Sequence, residues 1–171
     1  MIEKFSFEIQ LAKTKKKLIL VKAVSERREH VVLKLLAYML FYDPELKVEV
    51  DIGMHYKPDL VLLQPGEQVP DIWIDCGQVT TLKVQSLAKK LKRSRIIFMK
   101  ETHRELYQFK KLIEKKVDDE SQIEYVAFDD GFVSGIAEAL ERTNQVVMYP
   151  VMEGVIGLAL NETVFETHLH H

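Results

Sequence analysis

Two aspartates, Asp59 and Asp75, are spaced in this sequence so that they could bind a metal ion or share a proton. Asp59 begins one predicted strand and Asp75 ends another. If these strands pair as an antiparallel hairpin centred on Glu67, the two aspartates lie directly opposite each other, with both side chains on one face. Like charges in such a pair repel each other, so the site needs a bound cation or a proton on one carboxylate.

Glu29 is the candidate third acid. On a predicted helix it shares a face with Val32, Leu33 and Leu36, which directs its side chain toward the core. Oxygen donors of this kind suit Mg²⁺ or Mn²⁺, ions that bind phosphate oxygens and position or deprotonate a water for attack on phosphorus. Ordinary roles stay open, because a glutamate near a helix start favours the helix dipole and the aspartates could simply face water.

The elements that must position these acids follow from hydrophobic periodicity and from the turn residues between apolar segments. Their order predicts an α/β fold of the α+β, mixed-sheet type. In this fold a central mixed β-sheet is flanked by helices. It also predicts a single domain over residues 1–165 and a disordered tail over 166–171. The predicted strands are 4–11, 18–24, 46–52, 59–63, 71–75, 95–99, 123–128, 145–152 and 155–160, and the predicted helices are 26–42, 81–92, 103–116 and 130–142.

Composition narrows the class of protein. The chain has 171 residues, of which 47% are hydrophobic and 29% charged, as in one ordinary globular domain. No apolar run approaches the roughly 20 residues of a membrane-spanning helix, and no signal peptide is evident, so we expect no membrane association. The single cysteine, Cys76, predicts a reducing, cytoplasmic setting. The net charge of −2 does not indicate a partner.

The charge distribution is more informative than the net charge. Residues 83–116 contain twelve Lys and Arg but only three Glu, which is half of the 24 basic residues in the chain. A basic face near a carboxylate site would suit nucleic acid, DNA or RNA, whose phosphates supply the affinity. Two amphipathic helices with solvated lysines are the alternative explanation. The residues in the densest part, and the predicted nucleic-acid contacts, are Lys89, Lys90, Lys92, Arg93 and Arg95.

Several segments of the chain resemble a known family. They are SERRE (25–29), LKLLAYMLFYDPEL (33–46), KPDL (57–60), DIWIDCGQ (71–78) and ERTNQVVMYPVMEGVIGLAL (141–160). In these segments the sequence resembles the YaeQ family, a compact variant of the PD-(D/E)XK nuclease-like superfamily. The resemblance covers most of the chain and implies a restriction-endonuclease-like fold.

The resemblance also implies roles for the acids. Asp59 matches the metal-binding Asp of the motif, Asp75 matches its second acid, and Glu29 matches an acid on the preceding helix that often joins the site. These three residues are therefore the expected ligands of Mg²⁺ or Mn²⁺, and Glu29 is also a catalytic candidate.

The lysine of the motif should stand two residues after the second acid, where this chain has Gly77. A basic residue from elsewhere is then expected, and Lys83 in the first turn of the next helix is the candidate; Gln78 could instead orient the water. The implied activity is metal-dependent nuclease cleavage. A catalytically inactive module that binds nucleic acid or a protein, and an enzyme for a small phosphorylated compound, are the alternatives.

Overall fold

The structure, a computed structural model that describes residues 1–171, is a mixed α+β fold with ten strands and four helices. None of the helices is both long enough and apolar enough to cross a membrane. The strands are β1 (Glu3–Leu11), β2 (Thr14–Lys22), β3 (Leu46–Val48), β4 (Leu60–Leu62), β5 (Ile72–Cys76), β6 (Arg95–Met99), β7 (Ile123–Val126), β8 (Thr143–Met152), β9 (Val155–Leu160) and β10 (Thr163–His168). The helices are α1 (Arg28–Leu40), α2 (Thr81–Lys90), α3 (His103–Glu114) and α4 (Phe132–Ala139).

The strands form two separate sheets, so the expectation of one central sheet is wrong. Sheet I has the order β10-β9-β8-β1-β2, and sheet II has the order β3-β4-β5-β6-β7, each with five strands. Both sheets are mixed, because β1 runs parallel to β8, and β6 runs parallel to both β5 and β7, while the remaining neighbours are antiparallel. The opening hairpin pairs with the last strands of the chain and not with sheet II, and this long-range pairing has no local signal.

Helix α1 lies between the two sheets. Its residues from Val31 to Ala37 are all fully buried, and together with α4 they belong to a core that contains residues of both sheets. Helices α2 and α3 cover the other face of sheet II, in a second core around Trp73 and Phe98. A helix that is apolar on every side is typical of such a central layer, whereas a single stripe is typical of a surface helix.

The chain end is ordered, so the prediction of a disordered tail over 166–171 is wrong. Strand β10 pairs with β9 as far as His168, the Leu169 amide donates to the Gly154 carbonyl at 2.8 Å, and His170 forms an antiparallel bridge with Ala127. Both histidines also contact Asp129, at 2.9 and 2.7 Å. Chain ends fray only when nothing holds them, and here backbone pairing and a carboxylate hold this one.

The hairpin that brings the aspartates together has the register that the sequence predicts. Leu60 lies opposite Ile74 and Leu62 lies opposite Ile72, in an antiparallel pair centred on Glu67. Every residue of the two strands is buried, so both faces of this hairpin are covered by the two cores.

Candidate site at the carboxyl edge of sheet II

Asp59 and Asp75 meet where β4 begins and β5 ends. The Asp59 amide donates at 3.1 Å to the carbonyl of Ile74, the residue paired with Leu60, which ties Asp59 to the end of the hairpin. The Asp59 carboxylate then accepts a hydrogen bond from the Cys76 amide, through Oδ2 at 2.8 Å. Asp59 is thereby fixed to the backbone next to Asp75. We call this end of the parallel strands β5, β6 and β7 the carboxyl edge of sheet II.

Asp75 is almost completely buried, at 2% exposure. Its Oδ2 accepts a hydrogen bond from Trp73 Nε1 at 2.9 Å and lies 2.9 Å from Lys83 Nζ. Burial raises the pKa of Asp75 above its ordinary value, and the negative charge of Asp59 adds to this, although Lys83 and Trp73 act in the opposite direction. Asp75 is therefore a buried carboxylate whose charge is balanced by Lys83.

Asp59 is paired with a histidine from α1. His30 Nε2 lies 3.3 Å from Asp59 Oδ2, and its other ring nitrogen, Nδ1, lies 2.6 Å from Glu26 Oε1. Burial opposes both charges, but the His30–Asp59 hydrogen bond and the attraction outweigh it, so the pKa of Asp59 is lowered and that of His30 is raised. An imidazolium, which donates from both nitrogens, fits between these two carboxylates.

The two aspartates take their cations from opposite faces of sheet II. His30 comes from α1, in the layer between the sheets, whereas Lys83 comes from α2 on the other face, near the Trp73 ring at 5.9 Å. The pairing alone predicted both side chains on one face. The difference arises because Asp59 lies before the first residue of β4. The pleat of the strand therefore does not fix the direction of the Asp59 side chain.

Glu29 is not brought to this site. Its Oε1 lies 2.9 Å from Arg27 Nη2, and no three acidic, histidine or cysteine side chains are grouped so that they could hold a metal ion. Helix α1 begins only at Arg28, which leaves Glu26 in the preceding turn, where its Oε2 accepts from the Ala23 amide at 3.0 Å. Glu26 therefore takes the inward place that helical periodicity predicted for Glu29.

Lys34 and His30 are residues of this network that the sequence analysis did not select. Lys34 is fully buried, with Nζ 2.7 Å from Glu26 and 2.9 Å from Glu49. One signal was available, because Lys34 is the one charged residue in the apolar run VVLKLLA, over 31–37. A lysine there must be paired, since an isolated buried ammonium is very unfavourable.

The structure brings Lys83 to Asp75, and it explains why position 77 has no lysine. Gly77 has a φ of 79°, a left-handed conformation that strains any residue with a side chain. Lys83 lies in the first turn of α2, where the Thr80 hydroxyl accepts from its amide at 3.2 Å. Gln78 lies exposed in the turn between Gly77 and α2, and its side chain makes no hydrogen bond within the protein.

The predicted nucleic-acid contacts lie toward the opposite end of sheet II, which we call the amino edge. Helix α2 leads away from the carboxyl edge, so Lys89 is about 9 Å along the helix axis from Lys83, at 1.5 Å per residue. Arg95 begins β6 and pairs with Glu124 at 2.7 and 2.9 Å. The basic side chains there are all exposed: Lys89, Lys90, Lys92, Arg93 and Arg95.

These observations define a mixed α+β protein with two stacked sheets and a buried charged cluster at the end of one of them. The chain belongs to the YaeQ family, because the family model described as "YaeQ protein" matches residues 5–169. No curated protein matches the chain.

Two solved structures have the same fold. The YaeQ protein from Xanthomonas axonopodis pv. citri is similar at 19% identity with a TM-score of 0.76, over 98% of this chain and 95% of that one. The YaeQ protein from Pseudomonas syringae is similar at 16% identity with a TM-score of 0.77, over 98% of this chain and 93% of that one. At such identities the likeness concerns the fold alone.

Proposed function

We propose that this YaeQ-family chain is a restriction-endonuclease-like protein of the PD-(D/E)XK type. It would hydrolyse phosphodiester bonds of nucleic acid with Mg²⁺ or Mn²⁺ held by Asp59 and Asp75. The observation that carries the proposal is that Asp59, just before β4, and Asp75, near the end of β5, lie close enough for the charge of Asp59 to act on Asp75, with Lys83 2.9 Å from Asp75.

The donor set is suited to such an ion. Both carboxylates make their hydrogen bonds through Oδ2, which leaves each Oδ1 without a protein partner. Mg²⁺ commonly uses one or two carboxylates and completes its shell with waters and phosphate oxygens, so the displacement of Glu29 does not preclude binding. When bound, the ion would neutralise phosphate charge and lower the pKa of a water.

The other residues would act on the nucleic acid. Lys83, held beside Asp75, would stabilise negative charge that develops on the phosphate. Gln78 is exposed in the adjoining turn and would orient a water. The exposed lysines and arginines of the amino edge would bind backbone phosphates that lie some distance from the reacting phosphate. Such phosphate contacts give affinity without sequence selection.

The test is cleavage of DNA and RNA, single- and double-stranded, by the purified protein with Mg²⁺ or Mn²⁺. We expect Asp59→Asn and Asp75→Asn to reduce cleavage at least about 100-fold, because each removes a charged ligand. Asp71→Asn is the matched control, since Asp71 is exposed before the other end of β5. Glu29→Gln should cleave normally. Equal cleavage by Asp75→Asn and Asp71→Asn would refute the proposal.

A second candidate function is a catalytically inactive module that binds nucleic acid. One observation favours it: each aspartate already has a protein cation, His30 or Lys83, that neutralises it. Under this alternative the protein binds nucleic acid without cleaving it with any divalent ion. Mn²⁺ would then also fail to raise the melting temperature, whereas an ion that binds the folded state raises it.

A further inference from the structure

Lys100 is a buried cation that no ion pair explains. It follows β6 directly, and its residue exposure is 6%. Its Nζ donates to the Gly77 carbonyl at 2.5 Å and lies 3.9 Å from the centroid of the Phe109 ring. Lys34, by contrast, has two carboxylates within 3 Å, and Lys83 has one. Lys100 has no such contact.

An ammonium in this position is unfavourable for the folded protein. Taking a charge out of water without a compensating carboxylate costs free energy. Burial lowers the pKa of Lys100 to about 8, although Glu105, Cys76 and Asp75 act in the opposite direction. Because a buried ammonium lowers the stability of the folded protein, a role in binding a ligand explains Lys100 better than a role in stabilising the fold.

The sheet places Lys100 on the same side as Asp75. In the parallel β5–β6 pair, Asp75 lies beside Phe98 and Cys76 beside Met99, which sets Lys100 beside Gly77. Side chains two residues apart on a strand share a face, so Lys100 lies on the face of Phe98 and Asp75. The turn that it contacts opens to solvent, because Gly77 is half-buried and Gln78 is exposed.

We propose that Lys100 is a catalytic residue of the candidate site and that its ammonium contacts the phosphate of bound nucleic acid beside Asp75. This deepens the proposed function and rests on it. Lys83 and Lys100 would then approach the phosphate from neighbouring elements, α2 and the end of β6. Lys100 now donates to the Gly77 carbonyl, and the phosphate would replace that carbonyl as the hydrogen-bond acceptor.

The first experiment measures binding without metal. Fluorescein-labelled single-stranded and duplex oligonucleotides are titrated with the protein in EDTA, and anisotropy is recorded. We expect Lys100→Met to weaken binding about tenfold, in line with the loss of one charge-assisted hydrogen bond. Lys100→Arg should recover part of the affinity. Lys4→Met, which removes an exposed lysine of β1 in sheet I, is the matched control and should bind like the wild type.

The melting temperature separates this role from a structural one. If Lys100 only fastens the turn at Gly77, Lys100→Met melts below the wild type, and weaker binding by that variant would count against the proposal. If the ammonium serves a ligand, Lys100→Met melts a few degrees above the wild type at pH 7. Weaker binding together with a higher melting temperature supports the proposal, and unchanged binding overturns it.

Cleavage distinguishes the failure of this inference from the failure of the proposed function. If the wild type cleaves and Lys100→Met cleaves equally well, Lys100 has no catalytic role while the nuclease proposal stands. If nothing cleaves but Lys100→Met binds about tenfold more weakly than Lys4→Met, the phosphate contact stands and the catalytic role falls.

Discussion

The two edges of sheet II carry charges in opposite environments. At the carboxyl edge Asp75 and Lys100 are almost completely buried, and Lys34 behind them is fully buried. At the amino edge Lys92 and Arg93 are exposed, and the Arg95–Glu124 pair is about half exposed, at 53% and 42% of the side-chain surface. Buried charges interact strongly and need specific partners, whereas exposed charges are screened by water and salt. Under the proposed function, the carboxyl edge carries the chemistry and the amino edge attracts the nucleic acid.

The largest effect should come from breaking the buried network. Lys34→Met leaves Glu26 and Glu49 without their shared cation, and we expect a loss of about 2–4 kcal/mol, slightly below the typical cost of breaking a fully buried ion pair. Urea unfolding at pH 7 measures it. Arg95→Met at the amino edge is the matched control, with an expected loss of less than about 1 kcal/mol. Equal losses from the two variants would remove the distinction between the edges.

An effect of opposite sign should follow from Lys100→Met. The pKa of Lys100 is lowered to about 8 in the folded protein, from an ordinary value of 10.5, so between these values the unfolded chain binds more protons. Wild-type stability therefore rises with pH across this window. The variant should be more stable by about 1–3 kcal/mol at pH 7.

The pH dependence of that difference provides the internal check. Urea unfolding at several pH values should show the advantage of Lys100→Met shrinking from pH 8 to pH 10. An advantage that stays constant with pH would mean that burial of the ammonium is not its source.

The smallest effect on stability belongs to the amino edge. Replacing Lys92 and Arg93 together with Met should leave the unfolding free energy within about 0.5 kcal/mol of the wild type, because both side chains are exposed. Under the proposed function the slope of log binding constant against log salt should become shallower by about 1.4–1.8, since each of these side chains would contact one phosphate. Anisotropy titrations at several salt concentrations measure it, and an unchanged slope would place the nucleic acid elsewhere.

The hairpin around Glu67 and the position of Lys83 could be predicted from the sequence because both depend on local pattern. Two short apolar segments with turn residues between them predict a hairpin, and the structure pairs them about Glu67. Between Asp75 and Lys83 the chain has only a short turn and the start of α2, which Thr80 caps. The position of the Lys83 ammonium therefore depends on a few neighbouring residues. The third acid could not be predicted as reliably, because a shift of the helix start to Arg28 exchanged Glu29 for Glu26.

The sequence by itself determined the strand pair that carries Asp59 and Asp75, the first turn that carries Lys83, and membership of the YaeQ family. Only the tertiary structure decided that there are two sheets, that His30 and Lys34 lie between them, and that Lys100 is buried beside Gly77. The physical reason is distance along the chain. Periodicity and capping act over a few residues, whereas the burial of a charge depends on elements that meet only when the sheets and helices stack.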